Sequence, residues 1–189
     1  MNDRIEVRPF EHESEYRRMI DYFLDGGEEF QRGMGVDPAR LPSKQDWLQA
    51  SLAERRLPEV ERHRFFLAWL RNGELVGHSS LSHIRHGREG HIHLHLWRSD
   101  LRRGGLGSRF FQLSVQFFFD RFELQQLVCE PYAGNAAPNR TVARLGFRLV
   151  RTYRTVPTEL AAEQDVSRYE LTREEWDSRY GPAPAPPAP

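Results

Sequence analysis

The alternation of apolar and polar residues divides the chain into short strands and amphipathic helices. In IEVRPF, Ile5 and Val7 alternate with charges, the period of a half-buried strand. Over residues 13–25, Tyr16, Met19, Ile20, Phe23 and Leu24 recur at helical spacing, and Gly26-Gly27 predicts the end of that helix. A polar stretch runs to Leu41, after which Ser43 stands as the N-cap of a second amphipathic helix, SKQDWLQASLAE. Residues 64–70 and the run from Leu75, separated by Asn72-Gly73, carry the pattern of a β-hairpin. Residues 90–97 predict another strand, residues 108–122 a strongly apolar helix, and LQQLVCEPYA a short buried strand ending near Pro131. A short helix in NRTVARLGF is closed by Gly146, and FRLVRTYRTV and VSRYELT finish as strands.

The resulting order is β–α–α–β–β–β–α–β–α–β–β, with no internal repeat and no second domain boundary. A mixed sheet covered by helices on both faces, an α/β (α+β) architecture, is the expected fold.

Composition narrows the function classes. The 189 residues are 39% hydrophobic and 29% charged, ordinary for one globular domain. A formal net charge of zero supplies no global field toward nucleic acid or anionic membrane, so neither is expected as a partner. The single cysteine, Cys129, makes no intramolecular disulfide, excludes a Cys-rich zinc site and suits a cytoplasmic setting. The start of the chain has no signal-peptide pattern, and no apolar run approaches the ~18 residues of a membrane span. The tail GPAPAPPAP, residues 181–189, is expected to be stiff, disordered and outside the fold.

Two features carry candidate chemistry. Arg102-Arg103-Gly104-Gly105-Leu106-Gly107 lies between a strand and a helix. Glycines there let backbone N–H groups turn toward an anion, and the helix start at Ser108 adds unpaired amides and the positive dipole end. The turn is not a Walker A loop, which needs Gly-Lys-Ser/Thr, nor a dinucleotide fingerprint, which needs glycine where Phe110 stands. A tight turn with no ligand is the plainer alternative. The second feature is His91, His93 and His95 on one strand face, opposite Ile92, Leu94 and Leu96. Such a row is either a hydrogen-bonded polar face or a divalent-metal site; nothing else on the chain clusters with it, and no metal is expected.

Arg102-x-x-Gly105-x-Gly107 between this strand and this helix resembles the pyrophosphate-binding motif of the GCN5-related N-acetyltransferase (GNAT) superfamily. Asn135, about eleven residues before Leu145-Gly146-Phe147 on the short helix, resembles that family's later motif, and the element order agrees. The resemblance spans residues 4–172. It implies a mostly antiparallel sheet of about seven strands flanked by four helices, in which two parallel strands, near 90–97 and 126–131, splay apart around acetyl-CoA. The pantetheine arm would pair with Leu96, Trp97 and Arg98. The diphosphate would sit on Arg102, Arg103, Gly104, Gly105, Leu106, Gly107 and Ser108, with Asn135 and Asn139 beside the arm.

The resemblance also implies direct attack by a primary amine, which needs a base. The family often uses a glutamate about ten residues before the arginine of the glycine motif, and here no carboxylate lies on the strand beyond Glu89. His91 and His93 bracket that position; His93 is the first choice, partly by resemblance to the siderophore-lysine acyltransferase branch, and His91 the second. The tyrosine that many members use as acid is replaced by Val142, and the serine of the ribosomal-protein branch by Pro138, which leaves Asn139, a water or Tyr132. The siderophore branch has an aspartate near Tyr132, so its substrate does not transfer simply.

On the acceptor side, Asp25, Glu28 and Glu29 suit a cation, whereas Arg85, His86, Arg88 and His91 point the other way. The apolar helix is expected to be covered by the core, or in part by a second subunit in a homodimer. An acetyl-CoA-dependent N-acetyltransferase is the leading reading. Transfer from a longer acyl-CoA, a non-catalytic CoA-binding module and a metal enzyme on the histidine row are its rivals.

Overall fold

The computed structural model describes residues 3–101 and 104–181. Seven strands form one sheet in the order β1-β2-β3-β4-β5-β7-β6. They are β1 (Ile5–Pro9), β2 (Arg64–Arg71), β3 (Glu74–Arg85), β4 (Glu89–Leu96), β5 (Gln126–Cys129), β6 (Arg148–Thr155) and β7 (Gln164–Thr172). All neighbours are antiparallel except β4 and β5, which pair in parallel over three positions, Glu89 with Gln126 to His91 with Val128. Beyond His91, β4 continues to Leu96 with no partner on β5, so the two strands part at their C-terminal ends, as expected.

The described helices are α1 (Glu13–Leu24), α2 (Gly27–Gly33), α3 (Lys44–Arg56), α4 (Leu106–Arg121), α5 (Ala136–Arg144) and α6 (Arg173–Tyr180). The expected four become six. Helix α2 has no apolar period; it is held from outside by buried Gln31, whose Nε2 donates to Phe23 O at 2.8 Å. Helix α6 starts from a capping box in which Thr172 Oγ1 accepts from the Glu175 amide (3.1 Å) and Glu175 accepts from the Thr172 amide (2.8 Å). Its Trp176 is fully buried in the core, beyond the expected end at residue 172. Residues 182–189, expected as a disordered tail, lie outside the described residues.

Local signals elsewhere act as read. Ser43 Oγ accepts from the Asp46 amide at 3.1 Å, capping α3. Asn72 and Gly73 both have positive φ, 52° and 83°, the geometry of a type I′ hairpin turn. Gly146, at φ 100°, ends α5.

The sheet separates two apolar layers. Against one face, α4 buries Phe110, Phe111, Val115, Phe118 and Phe119 completely, over Leu67, Trp69, Ile92 and Leu127. At about 1.5–3 kcal/mol per buried aromatic or aliphatic side chain, this layer dominates the stabilisation. The core therefore covers most of the apolar helix, and Leu113 is its exposed large apolar residue. Against the other face, α1 places Tyr16, Met19, Ile20 and Phe23, with Trp47 and Leu48 of α3. Among the described residues no helix is long and apolar enough to cross a membrane.

Candidate active site

A cavity of about 890 Å³ opens where β4 and β5 part, and it runs from the start of α4 to the sheet face beneath α1. At one end, Gly105 is the N-cap of α4, with φ 73°, in the left-handed region that glycine tolerates. A Cβ added at Gly104 or Gly105 would meet no atom of the described residues within 4 Å, chain neighbours aside, so the space over these backbones is open among the described residues. The first amide of α4 to find a helical carbonyl is that of Arg109, bonded to Gly105 O at 3.2 Å. The amides of Leu106, Gly107 and Ser108 precede it, and Gly105, Gly107 and Ser108 line the cavity. This donor set at a sixteen-residue helix's N-terminus suits a diphosphate. The expected helix start at Ser108 moves two residues earlier, which puts Gly107 inside the helix. Arg102 and Arg103 lie outside the described residues.

Of the residues expected along the pantetheine arm, Leu96 lines the cavity. The Trp97 amide donates to Val76 O (3.0 Å), and the Arg98 side chain pairs with Glu74 and Asp100. Asn135 and Asn139 bind protein groups: Asn135 Nδ2 donates to Gly33 O (3.2 Å), and Asn139 Nδ2 to Asn135 O (2.7 Å) and Tyr132 O (3.0 Å). Asn139 thus holds the turn that launches α5. Tyr132 lines the cavity, its ring lying over Gly134.

The far end is the histidine face. Register sets His95 opposite His78, His93 opposite Ser80 and His91 opposite Ser82 on β3. His95 stacks on His78 with centroids 4.8 Å apart at 12°, and Phe23 of α1 meets His95 edge-on at 4.9 Å. His78 Nδ1 accepts from Trp97 Nε1 at 2.9 Å. His93 Nε2 lies 3.0 Å from Ser82 Oγ. At the bulge after Ser82, His83 takes a positive φ of 50°, which swings its ring to 4.7 Å from His91. The expectation that nothing else joins the three histidines is therefore corrected: His78, His83 and Glu130 do. Among the described residues no group of three or more His, Cys, Asp or Glu side chains is arranged to hold a metal ion.

Burial acts unequally on these rings. It pushes His93 down to about 3, helped by His95 and His91, and His95 down to about 4; His78 lies well below the ordinary range. With its pKa lowered this far, His93 is the weaker candidate for accepting a proton. Burial lowers His91 too, but the Glu130 carboxylate opposes it. His91 Nδ1 stands 3.7 Å from Glu130 Oε2, and Glu130 Oε1 accepts from Tyr153 OH (2.6 Å) and Arg168 Nη1 (3.1 Å).

Sequence reading missed Glu130, Ser82, His78, His83, Tyr153 and Arg168. Two signals were present: a carboxylate directly after the apolar run Leu127-Val128-Cys129, and His78, Ser80 and Ser82 at period two inside a buried strand.

A family model described as the acetyltransferase (GNAT) domain matches residues 4–148. The chain belongs to the GNAT acetyltransferases. No curated protein matches it in sequence. Solved structures share the GNAT fold at low identity. The ribosomal-protein-S5-alanine acetyltransferase of Vibrio fischeri is 17% identical, with a TM-score of 0.72 over 93% of this chain and 97% of that one. The spermidine N-acetyltransferase of Vibrio cholerae, in complex with CoA and spermine, is 12% identical, with a TM-score of 0.74 over 91% and 97%. The microcin C7 self-immunity acetyltransferase MccE, in complex with acetyl-CoA and AMP, is 16% identical, with a TM-score of 0.71 over 90% and 93%. At these identities the likeness is one of fold, and this GNAT domain's own side chains carry the argument about its site.

Proposed function

We propose that this GNAT domain transfers the acetyl group of acetyl-CoA to a primary amine held beside His91. The observation that carries the reading is the single cavity joining the amide donors at the start of α4 to the His91–Glu130 pair. Acetyl-CoA supplies the activated acyl group as a thioester. The amides of Leu106, Gly107 and Ser108 would hold its diphosphate, and the open space over Gly104 and Gly105 admits it. The CoA and acetyl-CoA complexes of the spermidine and microcin enzymes support this choice of donor.

The acceptor ammonium must lose a proton before its nitrogen can attack. With Nδ1 turned to Glu130, His91 has Nε2 to take that proton, and Glu130 fixes the ring and stabilises the imidazolium that forms. Tyr153 and Arg168 keep Glu130 in place from β6 and β7. This reverses the order expected from sequence: His91 becomes the base, and His93, hydrogen-bonded to Ser82 and strongly desolvated, a neutral wall of the chamber. Tyr132, on the same cavity, serves as proton donor to the leaving thiolate, while Asn139 shapes the turn beneath it. Holding amine and thioester together supplies most of the acceleration. A reducing, cytoplasmic setting suits Cys129, a buried free thiol that desolvation pushes up to about 12.

Thiol release from acetyl-CoA across a panel of primary amines tests the reading. Amine-dependent release is expected. Binding of CoA with no release for any amine would make the chain a binding module instead.

A further inference from the structure

The acceptor half of the cavity is roofed. The end of α2 and the segment after it, residues 33–37, cross above it and are bonded on two sides. Asp37 N donates to Leu160 O (2.8 Å) and Gln164 Nε2 to Gly35 O (2.9 Å), tying it to the β6–β7 connection and the start of β7. Asn135 Nδ2 donates to Gly33 O (3.2 Å), tying it to the start of α5. The fit is close. Gly35 has φ 83°, and a Cβ there would stand 2.7 Å from Gln164 Oε1 and 3.1 Å from Tyr132 Cβ. A molecule whose amine is the end of a long chain needs a slot through which the rest of the chain leaves. Between residues 33–37 and the β6–β7 connection that slot is closed by hydrogen bonds.

The walls are aromatic. Tyr22 and Phe23 from α1, Phe30 from α2, Trp47 from α3 and Phe66 from β2 surround the space above the histidine face. They brace one another: Phe23 and Trp47 have centroids 5.3 Å apart, as do Tyr22 and Phe30. Such a lining takes up a ring or a compact apolar body.

The charges count against a polycation. Three carboxylates line the cavity, those of Glu29, Glu130 and Glu159. Glu159 is ion-paired with Arg64, and Glu130 already receives Arg168. Glu29 is exposed at the rim and makes no ion pair among the described residues. Each ammonium taken out of water needs an anion or several acceptors beside it, and inward of the exposed Glu29 the chamber has one such place among the described residues, at Glu130 and His91.

We infer that the acceptor is a small monoamine with an apolar, aromatic body seated against these rings, rather than a polyamine or the amino terminus of a protein. This rests on the acetyl-transfer reading only in treating the bound amine as the acceptor. Calorimetric titration of the full chain, with and without CoA, tests it with three probes: 2-phenylethylamine, spermidine and an unstructured decapeptide with a free amino terminus. The aryl amine is expected to bind at least about tenfold more tightly than either other probe. Equal or tighter binding of spermidine or the peptide, or no binding of the aryl amine, overturns the inference. Thiol release with the peptide or spermidine alone would likewise overturn it and leave acetyl transfer standing. Failure of CoA to bind would remove the acetyl-transfer reading, and the amine titrations would still decide the chamber's ligand.

Discussion

His91 and Glu130 face each other at 3.7 Å across the only three-residue stretch where β4 and β5 run side by side. His91 belongs to that paired stretch, and Glu130 follows just after β5 ends. The pair therefore sits at the point where the sheet begins to open, with the ring held by the paired strand and the carboxylate by Tyr153 and Arg168. In the proposed reaction this position ties proton removal to the fork that would receive the thioester.

Replacing His91 by alanine is expected to lower kcat by 10²–10⁴, the usual worth of a positioned general base. His93→Asn, which keeps a polar group near Ser82, should stay within about tenfold of the parent rate. Steady-state thiol release decides between them, and the opposite ranking would return the base to His93.

Glu130→Gln separates positioning from packing. The Glu130 charge opposes the lowering of the His91 pKa by burial, so its removal lets that pKa fall further. The base works when neutral, and the rate rises with pH through its pKa. The acid limb of the kcat profile is therefore expected to move to lower pH in Glu130→Gln, with kcat reduced about 10- to 100-fold and the KM for acetyl-CoA little changed. A limb that stays put would show that the carboxylate acts only through packing.

Stability should fall as the solution is acidified below the ordinary imidazole range. His93 and His95 resist protonation in the folded chain down to about 3 and 4, whereas unfolded imidazoles take up protons near 6.5. Between those limits the unfolded state binds more protons, so each group withdraws up to about 1.4 kcal/mol per pH unit. Their effect is nil above about pH 7 and grows as pH falls toward 4. Urea unfolding of the parent and of His95→Phe at pH 7 and pH 5 measures it: the loss between the two pH values should be smaller in the variant.

Gly105→Ala tests the anion cradle. The added Cβ meets no atom of the described residues within 4 Å beyond its chain neighbours, but it places a side chain at φ 73° and fills the space over the α4 amides. A backbone cost of about 1 kcal/mol is expected, with CoA binding weakened about tenfold or more by calorimetry. Unchanged affinity would move the diphosphate elsewhere.

Much of this domain was legible along the chain because the signals are local. Strand period two places His91, His93 and His95 on one face whatever lies opposite. Ser43 caps its helix, Asn72-Gly73 turns its hairpin, and Gly104-Gly105 opens α4 through backbone preferences carried by a few adjacent residues. Helix α6 went unread, although Thr172-Arg173-Glu174-Glu175 carries its capping signal; at eight residues the signal is weak. Helix α2 was not legible, since what holds it is a buried Gln31 bonded to the end of α1 rather than a period of its own.

What tertiary structure alone decided is how the three imidazoles differ. Three histidines on one face are equivalent by spacing. They become different only when α1 covers His95, Ser82 meets His93, and the parallel pairing of His91 with Val128 brings in Glu130 from far along the chain. Desolvation and charge depend on everything packed around a group, whereas local sequence encodes dihedral preference and periodicity. The segment over the proposed acceptor chamber is of the same kind, held by hydrogen bonds between residues 33–37 and residues more than a hundred positions away.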